Sequence, residues 1–142
     1  MSLFEKHQPV LMKAIEALHT RTFFAAYPEN PSPATYGETA DADGQAKFKA
    51  QVGHRFELLH QAAPTGWAGQ EESPYLQEKL GIQYPVFSAD ELVKRSGVAF
   101  HAWRKVSAAD RAGILMESLE RMKGKFFEIA YATMHTTGQG YM

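Results

Sequence analysis

Apolar side chains recur at helical spacing near the start of the chain. Leu11, Ile15 and Leu18 lie three or four positions apart, which places them on one face of a helix. We therefore predict a helix from about Leu3 to Thr20. Pro9 favours a kink in this helix or a later start, because proline lacks an amide hydrogen and crowds the preceding turn.

Proline, glycine and polar residues then divide the chain into short segments. Three prolines within residues 27–33 favour an extended segment. A short helix is predicted over about residues 43–52. Asp41 or Asp43 can cap its start, and Gly53 can end it.

Two later segments are predicted to be a loop and a strand. Residues 60–72 are mostly polar with glycine and proline, which is typical of a loop. Apolar and polar positions alternate briefly over residues 80–85, which predicts a short edge strand. Pro85 would stop this strand, because it cannot donate to a strand ladder.

Three helices are predicted after Pro85, since no proline follows it. The first helix is predicted to begin at Ser88, with Glu91 as the capping-box partner, and the second at Ser107, with Asp110 at the same offset. The third helix is predicted to begin near Lys125 and to end at Gly138, where a left-handed terminus is expected. The short connections predict that neighbouring helices pack side by side.

The apolar positions of these three helices predict buried faces. If Trp103 is fully buried, its replacement by alanine should cost about 3–5 kcal/mol. The positions are Leu92, Val93, Ala99, Phe100 and Trp103 in the first helix, Ala112, Leu115, Met116, Leu119 and Met122 in the second, and Phe126, Phe127, Ile129, Ala130, Ala132 and Met134 in the third.

Composition narrows the class of protein. The 142 residues suit one average domain, with 44% apolar and 22% charged residues. The net charge of −1 argues against nucleic acid as a main partner. The chain contains no cysteine, which excludes disulfides and a cysteine nucleophile within it. No apolar run approaches the ~20 residues of a membrane helix. We expect a cytoplasmic protein without a membrane partner.

Six histidines raise the question of a metal site: His7, His19, His54, His60, His101 and His135. No two are four positions apart, and no His-Glu-x-x-His motif occurs. Asp41-Ala-Asp43-Gly44 is similar to the middle of a calcium loop, but Thr39 and Ala50 occupy the positions of its first and twelfth ligands. The sequence favours surface or partly buried histidines and helix-capping aspartates.

Three further features are weak signals for chemistry. Gly138-Gln-Gly140 lacks the third glycine and the preceding strand of a dinucleotide-binding loop. Glu71 and Glu72 are adjacent in a predicted loop, which favours a solvated pair. Trp67 is either an interface anchor or an aromatic residue that pins the loop to the core. We therefore predict no catalytic, cofactor-binding or metal-binding residue in this chain.

Several short motifs of the second half follow one another in a characteristic order. They are Ser73-Pro-Tyr75, Leu80-Gly-Ile-Gln-Tyr-Pro85, Ser88-Ala-Asp-Glu-Leu92, Ala99-Phe-His-Ala-Trp-Arg104, Ala108-Ala-Asp-Arg-Ala112 and Thr137-Gly-Gln139. In this order and spacing they resemble the N-terminal part of the aldehyde dehydrogenase superfamily. One departure is Thr136-Thr-Gly-Gln139, where most of the superfamily has Glu-Thr-Gly-Lys.

Further motifs lie mostly in the first half of the chain. They are Phe4-Glu-Lys-His7, Tyr27-Pro28, Pro31-Ser-Pro33, Tyr36-Gly-Glu-Thr39, Gly66-Trp67 and, near the end of the chain, Met134-His-Thr-Thr-Gly-Gln139. These motifs narrow the resemblance to the phenylacetic acid degradation branch of the superfamily, the PaaN type. The resemblance implies a PaaN-type N-terminal extension over residues 1–72 and an incomplete aldehyde-dehydrogenase-like N-terminal domain over residues 73–142. The expected fold of this chain is mainly α, with a helical extension, a short strand segment near residues 80–85 and three packed helices. The intact family member is α/β.

The resemblance also implies a function. In an intact member, a cysteine thiolate attacks an aldehyde, hydride passes to NAD or NADP, and water or another acceptor resolves the thioester. Because this chain has no cysteine, we expect it to be a non-catalytic piece that binds no cofactor by itself. Its partner would be the remainder of an enzyme that forms a homo-oligomer. Part of the apolar surface of the last three helices should then be uncovered. The alternative is a freestanding helical binding or assembly module without enzymatic activity.

Overall fold

The computed structural model of the chain describes residues 1–27, 30–57 and 63–141. Within these ranges the fold is mainly α, as predicted, with two small antiparallel sheets of two strands each. The helices are α1 (Leu3–Thr20), α2 (Pro33–Tyr36), α3 (Ala40–Lys49), α4 (Ala89–Trp103), α5 (Ala108–Lys123) and α6 (Phe126–Thr137). The strands are β1 (Gly66–Ala68), β2 (Glu72–Ser73), β3 (Glu78–Lys79) and β4 (Tyr84–Val86).

The chain forms two compact units. The first contains Met1–Glu38 and Phe100–Gly124, and the second contains Thr39–Ala99 and Lys125–Met142. The main helix pairs are α1 with α5 in the first unit and α3 with α6 in the second. The sequence predicts that α4, α5 and α6 pack against one another, and within the two units α5 and α6 make their most extensive helix contacts with α1 and α3, which come much earlier in the chain.

Helix α1 has the predicted bounds, Leu3–Thr20. The Ser2 hydroxyl accepts the amide of Glu5 at 3.2 Å, and the Glu5 carboxylate accepts the amide of Ser2 at 2.6 Å. This capping box fixes the start of the helix. The later start suggested by Pro9 is wrong, since Pro9 lies inside the helix.

Helix α5 packs against α1 through a glycine rather than through its long apolar side chains. A Cβ atom on Gly113 would lie 2.4 Å from the backbone nitrogen of Phe4, so the two backbones approach closely there. The predicted buried face of α5 is wrong for three of its five residues, since Leu115, Leu119 and Met122 are 61%, 51% and 54% exposed, whereas Ala112 and Met116 are half-buried. The predicted start is confirmed, because the Ser107 hydroxyl accepts the amide of Asp110 at 3.0 Å.

The core of the second unit lies between α3, α6 and the segment that joins β3 to β4. Its buried members are Phe48, Leu80, Ile82 and Tyr131. Gly44 allows α3 to approach α6, because a Cβ atom on it would lie 2.4 Å from the Cβ atom of Phe127.

The bounds predicted for the helix at residues 43–52 are wrong. Helix α3 runs from Ala40 to Lys49, with Thr39 as its N-cap residue. Asp41 and Asp43 therefore lie in its first turn and do not cap it, although acidic residues there still suit the positive end of the helix dipole. Gly53 adopts a left-handed φ of 77°, but it follows the helix end by several residues.

Short strands replace part of the predicted loop at residues 60–72. Strand β1 pairs with β4, where Trp67 lies opposite Pro85, and β2 pairs with β3. The prediction that Pro85 stops a strand is wrong, because Pro85 lies inside β4. A sheet of two strands has free edges, where a missing amide donor is tolerated. Residues 58–62 lie outside the described part of the chain.

The proline-rich segment at residues 27–33 is only partly described. Residues 28 and 29 lie outside the described ranges, so the extended conformation stays a prediction there. Pro33 begins the single-turn helix α2, which the sequence reasoning missed. Proline at a first helical position costs no hydrogen bond, since that amide has no partner within the helix.

Helix α4 starts as predicted, because the Ser88 hydroxyl accepts the amide of Glu91 at 3.3 Å. Its predicted buried face is wrong. All five of its predicted residues are exposed, namely Leu92, Val93, Ala99, Phe100 and Trp103.

Helix α6 is the apolar helix of the second unit. It begins next to Lys125 and ends at Gly138, whose left-handed φ of 75° confirms the predicted terminus. Phe127 is buried as predicted, whereas Ile129 is exposed. Tyr131, which was not among the predicted apolar positions, is also buried.

Candidate functional site

The histidines are dispersed over the structure. His7 bonds to Glu117, His135 bonds to Ser73, and His54 Nδ1 lies 2.9 Å from the carbonyl oxygen of Val52. His19 and His101 are exposed, and His60 lies outside the described ranges. Within those ranges, no three His, Asp or Glu side chains come together as metal ligands.

The carboxylates of the two aspartates in the calcium-like motif accept hydrogen bonds from hydroxyl groups of the chain itself. Asp41 Oδ1 accepts hydrogen bonds from Tyr131 Oη, at 3.1 Å, and from Tyr141 Oη. Burial, together with the bond to Asp41, raises the pKa of Tyr141. Asp43 accepts a hydrogen bond from the Thr39 hydroxyl at 2.9 Å. These carboxylates tie the elements of the second unit together instead of facing one another as ligands.

The Gly138-Gln-Gly140 motif is a helix terminus. The carbonyl oxygens of Gly138 and Gln139 accept hydrogen bonds from Tyr75 Oη at 3.2 and 3.0 Å. These groups are therefore committed to a contact within the chain.

Glu71 and Glu72 differ in their surroundings, so the prediction of a solvated pair is wrong for Glu71. The Oε2 atom of Glu71 is buried and has no hydrogen-bond partner among the described residues. Burial and the nearby Glu71 charge raise the pKa of Tyr84. Glu72 is exposed and belongs to β2.

Trp67 belongs to strand β1 and is half-buried. The guanidinium carbon of Arg55 lies 4.8 Å from the centre of its ring, within the range of a cation–π contact. Pro85 lies opposite it in β4. These contacts within the second unit favour the interpretation that Trp67 anchors its segment.

A buried pair in the second unit escaped the sequence reasoning. Ser73 is 0% exposed, and its hydroxyl lies 2.8 Å from Nδ1 of His135. The ring of Phe48 stacks on the His135 ring, with 5.0 Å between centres and 3° between planes. Burial, with the nearby Lys49 charge, lowers the pKa of His135. Because Ser73 and His135 are 62 positions apart, no local spacing indicates the pair.

An apolar groove of about 440 Å³ lies beside this core, between α3, β4 and α6. Glu128 lies at its edge, where Oε1 accepts a hydrogen bond from Gln51 at 2.6 Å and Oε2 accepts one from Lys125 at 3.3 Å. The carboxylate is thus already bonded within the chain. The groove offers apolar contacts from Phe48, Phe56, Ile82, Tyr84, Ile129 and Ala132.

Helix α5 and helix α4 each expose several apolar side chains. Leu115, Leu119 and Met122 are exposed at positions i, i+4 and i+7, so they share one face of α5. We call these three residues the α5 apolar face. Helix α4 exposes Leu92, Val93, Val98, Phe100 and Trp103. An exposed apolar helix face such as the α5 apolar face marks a site of interaction. The expectation that the last three helices leave apolar surface uncovered is confirmed for α4 and α5.

A known enzyme shares this fold. The chain is similar to a solved NAD-dependent aldehyde dehydrogenase from Burkholderia multivorans, with 40% sequence identity and a TM-score of 0.88. The similarity covers 99% of this chain and 25% of that chain. The chain therefore spans a quarter of the length of that dehydrogenase, and the similarity to it extends over nearly the whole of this chain.

Other comparisons add no further relative. Neither protein-family models nor curated proteins gave a match. None of the helices in the described ranges is long and apolar enough to cross a membrane.

Proposed function

We propose that this chain is a non-catalytic piece of an aldehyde-dehydrogenase-like oxidoreductase. The observation that carries this proposal is the similarity to a quarter of an NAD-dependent aldehyde dehydrogenase at 40% identity. The intact protein would oxidise an aldehyde with a nicotinamide cofactor, NAD or NADP. Its resemblance to the PaaN type supports a role in phenylacetate degradation, with residues 1–72 as the N-terminal extension and residues 73–142 as the start of the dehydrogenase-like domain.

The residues of the chain support a structural role. The sequence has no cysteine, so it lacks the thiolate that attacks the aldehyde in this chemistry. The carboxylates of Asp41, Glu117 and Glu128 are bonded to side chains of the chain itself. The chain would therefore supply scaffold to the enzyme, while the nucleophile and the cofactor contacts would come from the remainder.

The α5 apolar face and the exposed apolar residues of α4 would pack against that remainder. Covering apolar surface stabilises an interface by about 25 cal/mol per Å² removed from water. Such contacts would explain why long apolar side chains face outward in this chain. We propose that the intact protein is a cytoplasmic homo-oligomer.

DNA sequencing of the gene and an activity assay of the purified chain test this proposal. DNA sequencing past the codon for Met142 should reveal an open frame that encodes a cysteine and a glutamate within a parallel α/β pattern. The purified chain of 142 residues should reduce neither NAD nor NADP with any aldehyde. A stop codon directly after Met142 would contradict the proposal and favour the freestanding binding or assembly module. Cofactor reduction by the purified chain would contradict the non-catalytic role.

A further inference from the structure

The Ser73–His135 contact joins two segments of the second unit. Ser73 begins the turn between β2 and β3, and His135 lies in the last turn of α6. Tyr75, in the same turn, places its ring against His135 with 6.2 Å between the ring centres. Its hydroxyl donates to the carbonyl groups of Gly138 and Gln139. The turn therefore holds the end of α6 at three points.

The hydrogen bonds of Ser73 determine which protonation state of His135 fits this contact. The Ser73 hydroxyl oxygen accepts the amide of Leu76 at 3.2 Å. Its own hydrogen then has the Nδ1 lone pair of His135 as acceptor. A proton on Nδ1 would leave the buried Ser73 hydroxyl with two donors facing it and no acceptor for its own hydrogen. A buried polar hydrogen without an acceptor is costly, so the arrangement favours an unprotonated Nδ1.

We propose that His135 is a proton-controlled latch: with Nδ1 unprotonated it holds the last turn of α6 against the turn at residues 73–77 through Ser73, and protonation of Nδ1 breaks this contact. This device is independent of the function proposed above, because it rests only on contacts within the second unit. It would make the contact between the last turn of α6 and this turn depend on pH.

The groups around His135 support this direction. Phe48 from α3 covers one face of the ring, and Lys49 from the same helix contributes a positive charge. The turn contributes the neutral side chains of Ser73 and Tyr75. Among the described residues, no carboxylate is hydrogen-bonded to His135. Burial and the Lys49 charge therefore both disfavour the imidazolium form, and both lower the pKa of His135.

An NMR titration of the unmodified chain tests the proposal. The ring protons of His135 should titrate with a midpoint below the ordinary value of about 6.5. The amide signals of Leu76 and Gly138 should shift with that same midpoint, since one reports on the Ser73 hydroxyl and the other on the end of α6. A His135 midpoint at or above about 6.5 would overturn the proposal. Amide signals that stay constant through the His135 midpoint would overturn it as well.

Three variants separate the latch from a general effect of pH. His135→Asn keeps a polar atom near the Nδ1 position but cannot titrate, so the shared midpoint should disappear. Ser73→Ala removes the hydroxyl, so His135 should titrate closer to about 6.5. His101→Asn changes an exposed histidine and should leave the midpoint intact. If the Leu76 and Gly138 signals keep the midpoint in His135→Asn, the latch is refuted. If that variant does not fold, the Ser73→Ala titration decides, and an unchanged His135 midpoint there refutes it.

Discussion

The Nε2 atom of His7 lies 2.8 Å from Oε2 of Glu117, 110 positions later in the chain. The same carboxylate lies 2.6 Å from Nζ of Lys6 and 3.1 Å from Nε of Arg121. Hydrogen bonds from Lys6, then from His7 and Arg121, lower the pKa of Glu117 to about 2. An ionised Glu117 thus links α1 to α5 in the first unit.

The pH dependence of this link follows from the lowered pKa. A carboxylate whose pKa is lower in the folded state stabilises the fold at pH values above its unfolded pKa of about 4.5, and this contribution is lost as the pH falls towards about 2. We predict that Glu117→Gln lowers the melting temperature at pH 7, and that the difference from the parent chain shrinks between pH 4.5 and 2. Glu16→Gln on the exposed side of α1 is the control and should change little. A Glu117→Gln difference that stays constant down to pH 2 would refute this account.

Gly113 and Gly97 provide a matched pair of glycines within helices. A Cβ atom at Gly113 would lie 2.4 Å from the Phe4 nitrogen, whereas one at Gly97 meets nothing within 4 Å. We predict that Gly113→Ala destabilises the chain by about 1–3 kcal/mol, because α1 must move away. Gly97→Ala should stabilise it by up to about 1 kcal/mol through helix propensity. Denaturant unfolding measures both. Equal effects of the two substitutions would contradict the close approach of α1 and α5.

The loss of stability on replacing Phe48 or Trp103 by alanine tests where the core lies. Phe48 is 2% exposed and Trp103 is 41% exposed. Phe48→Ala should cost about 3–5 kcal/mol, the range expected for a buried aromatic residue. Trp103→Ala should cost clearly less, contrary to the expectation from helical spacing alone. Urea unfolding of the two variants decides the order, and a larger loss for Trp103→Ala would show that α4 is buried after all.

Signals confined to a few neighbouring residues predicted local structure well. The capping serines Ser88 and Ser107 and the terminal glycine Gly138 lie where the sequence places them. The Ser2-x-x-Glu5 capping box is also readable from sequence, and it would have excluded a late start of α1.

Burial was predicted poorly, because it depends on partners that are distant in sequence. Leu115 was predicted to be buried and is 61% exposed, whereas Tyr131, which was not predicted, is buried in the core with Phe48, Leu80 and Ile82. Strand β1 has three residues, which is too short for alternation to reveal its pairing with β4. The Ser73–His135 pair has no local signature, since its members are 62 positions apart. The sequence analysis therefore missed this buried contact.

The central claim, that this chain is a scaffold piece of an aldehyde-dehydrogenase-like enzyme, is tested most directly by a chimera. The chain would replace the matching quarter of the Burkholderia multivorans enzyme, and NADH formation from an aldehyde would be measured. A control chimera would carry Leu115→Asp and Leu119→Asp on the α5 apolar face. Both substitutions should be tolerated by the free chain, because these residues are exposed there.

We predict that the folded chimera oxidises the aldehyde with NAD, and that the Leu115→Asp, Leu119→Asp chimera loses assembly and activity together. A chimera that folds and assembles but forms no NADH would contradict the claim. Full activity of the doubly substituted chimera would contradict the role of the α5 apolar face.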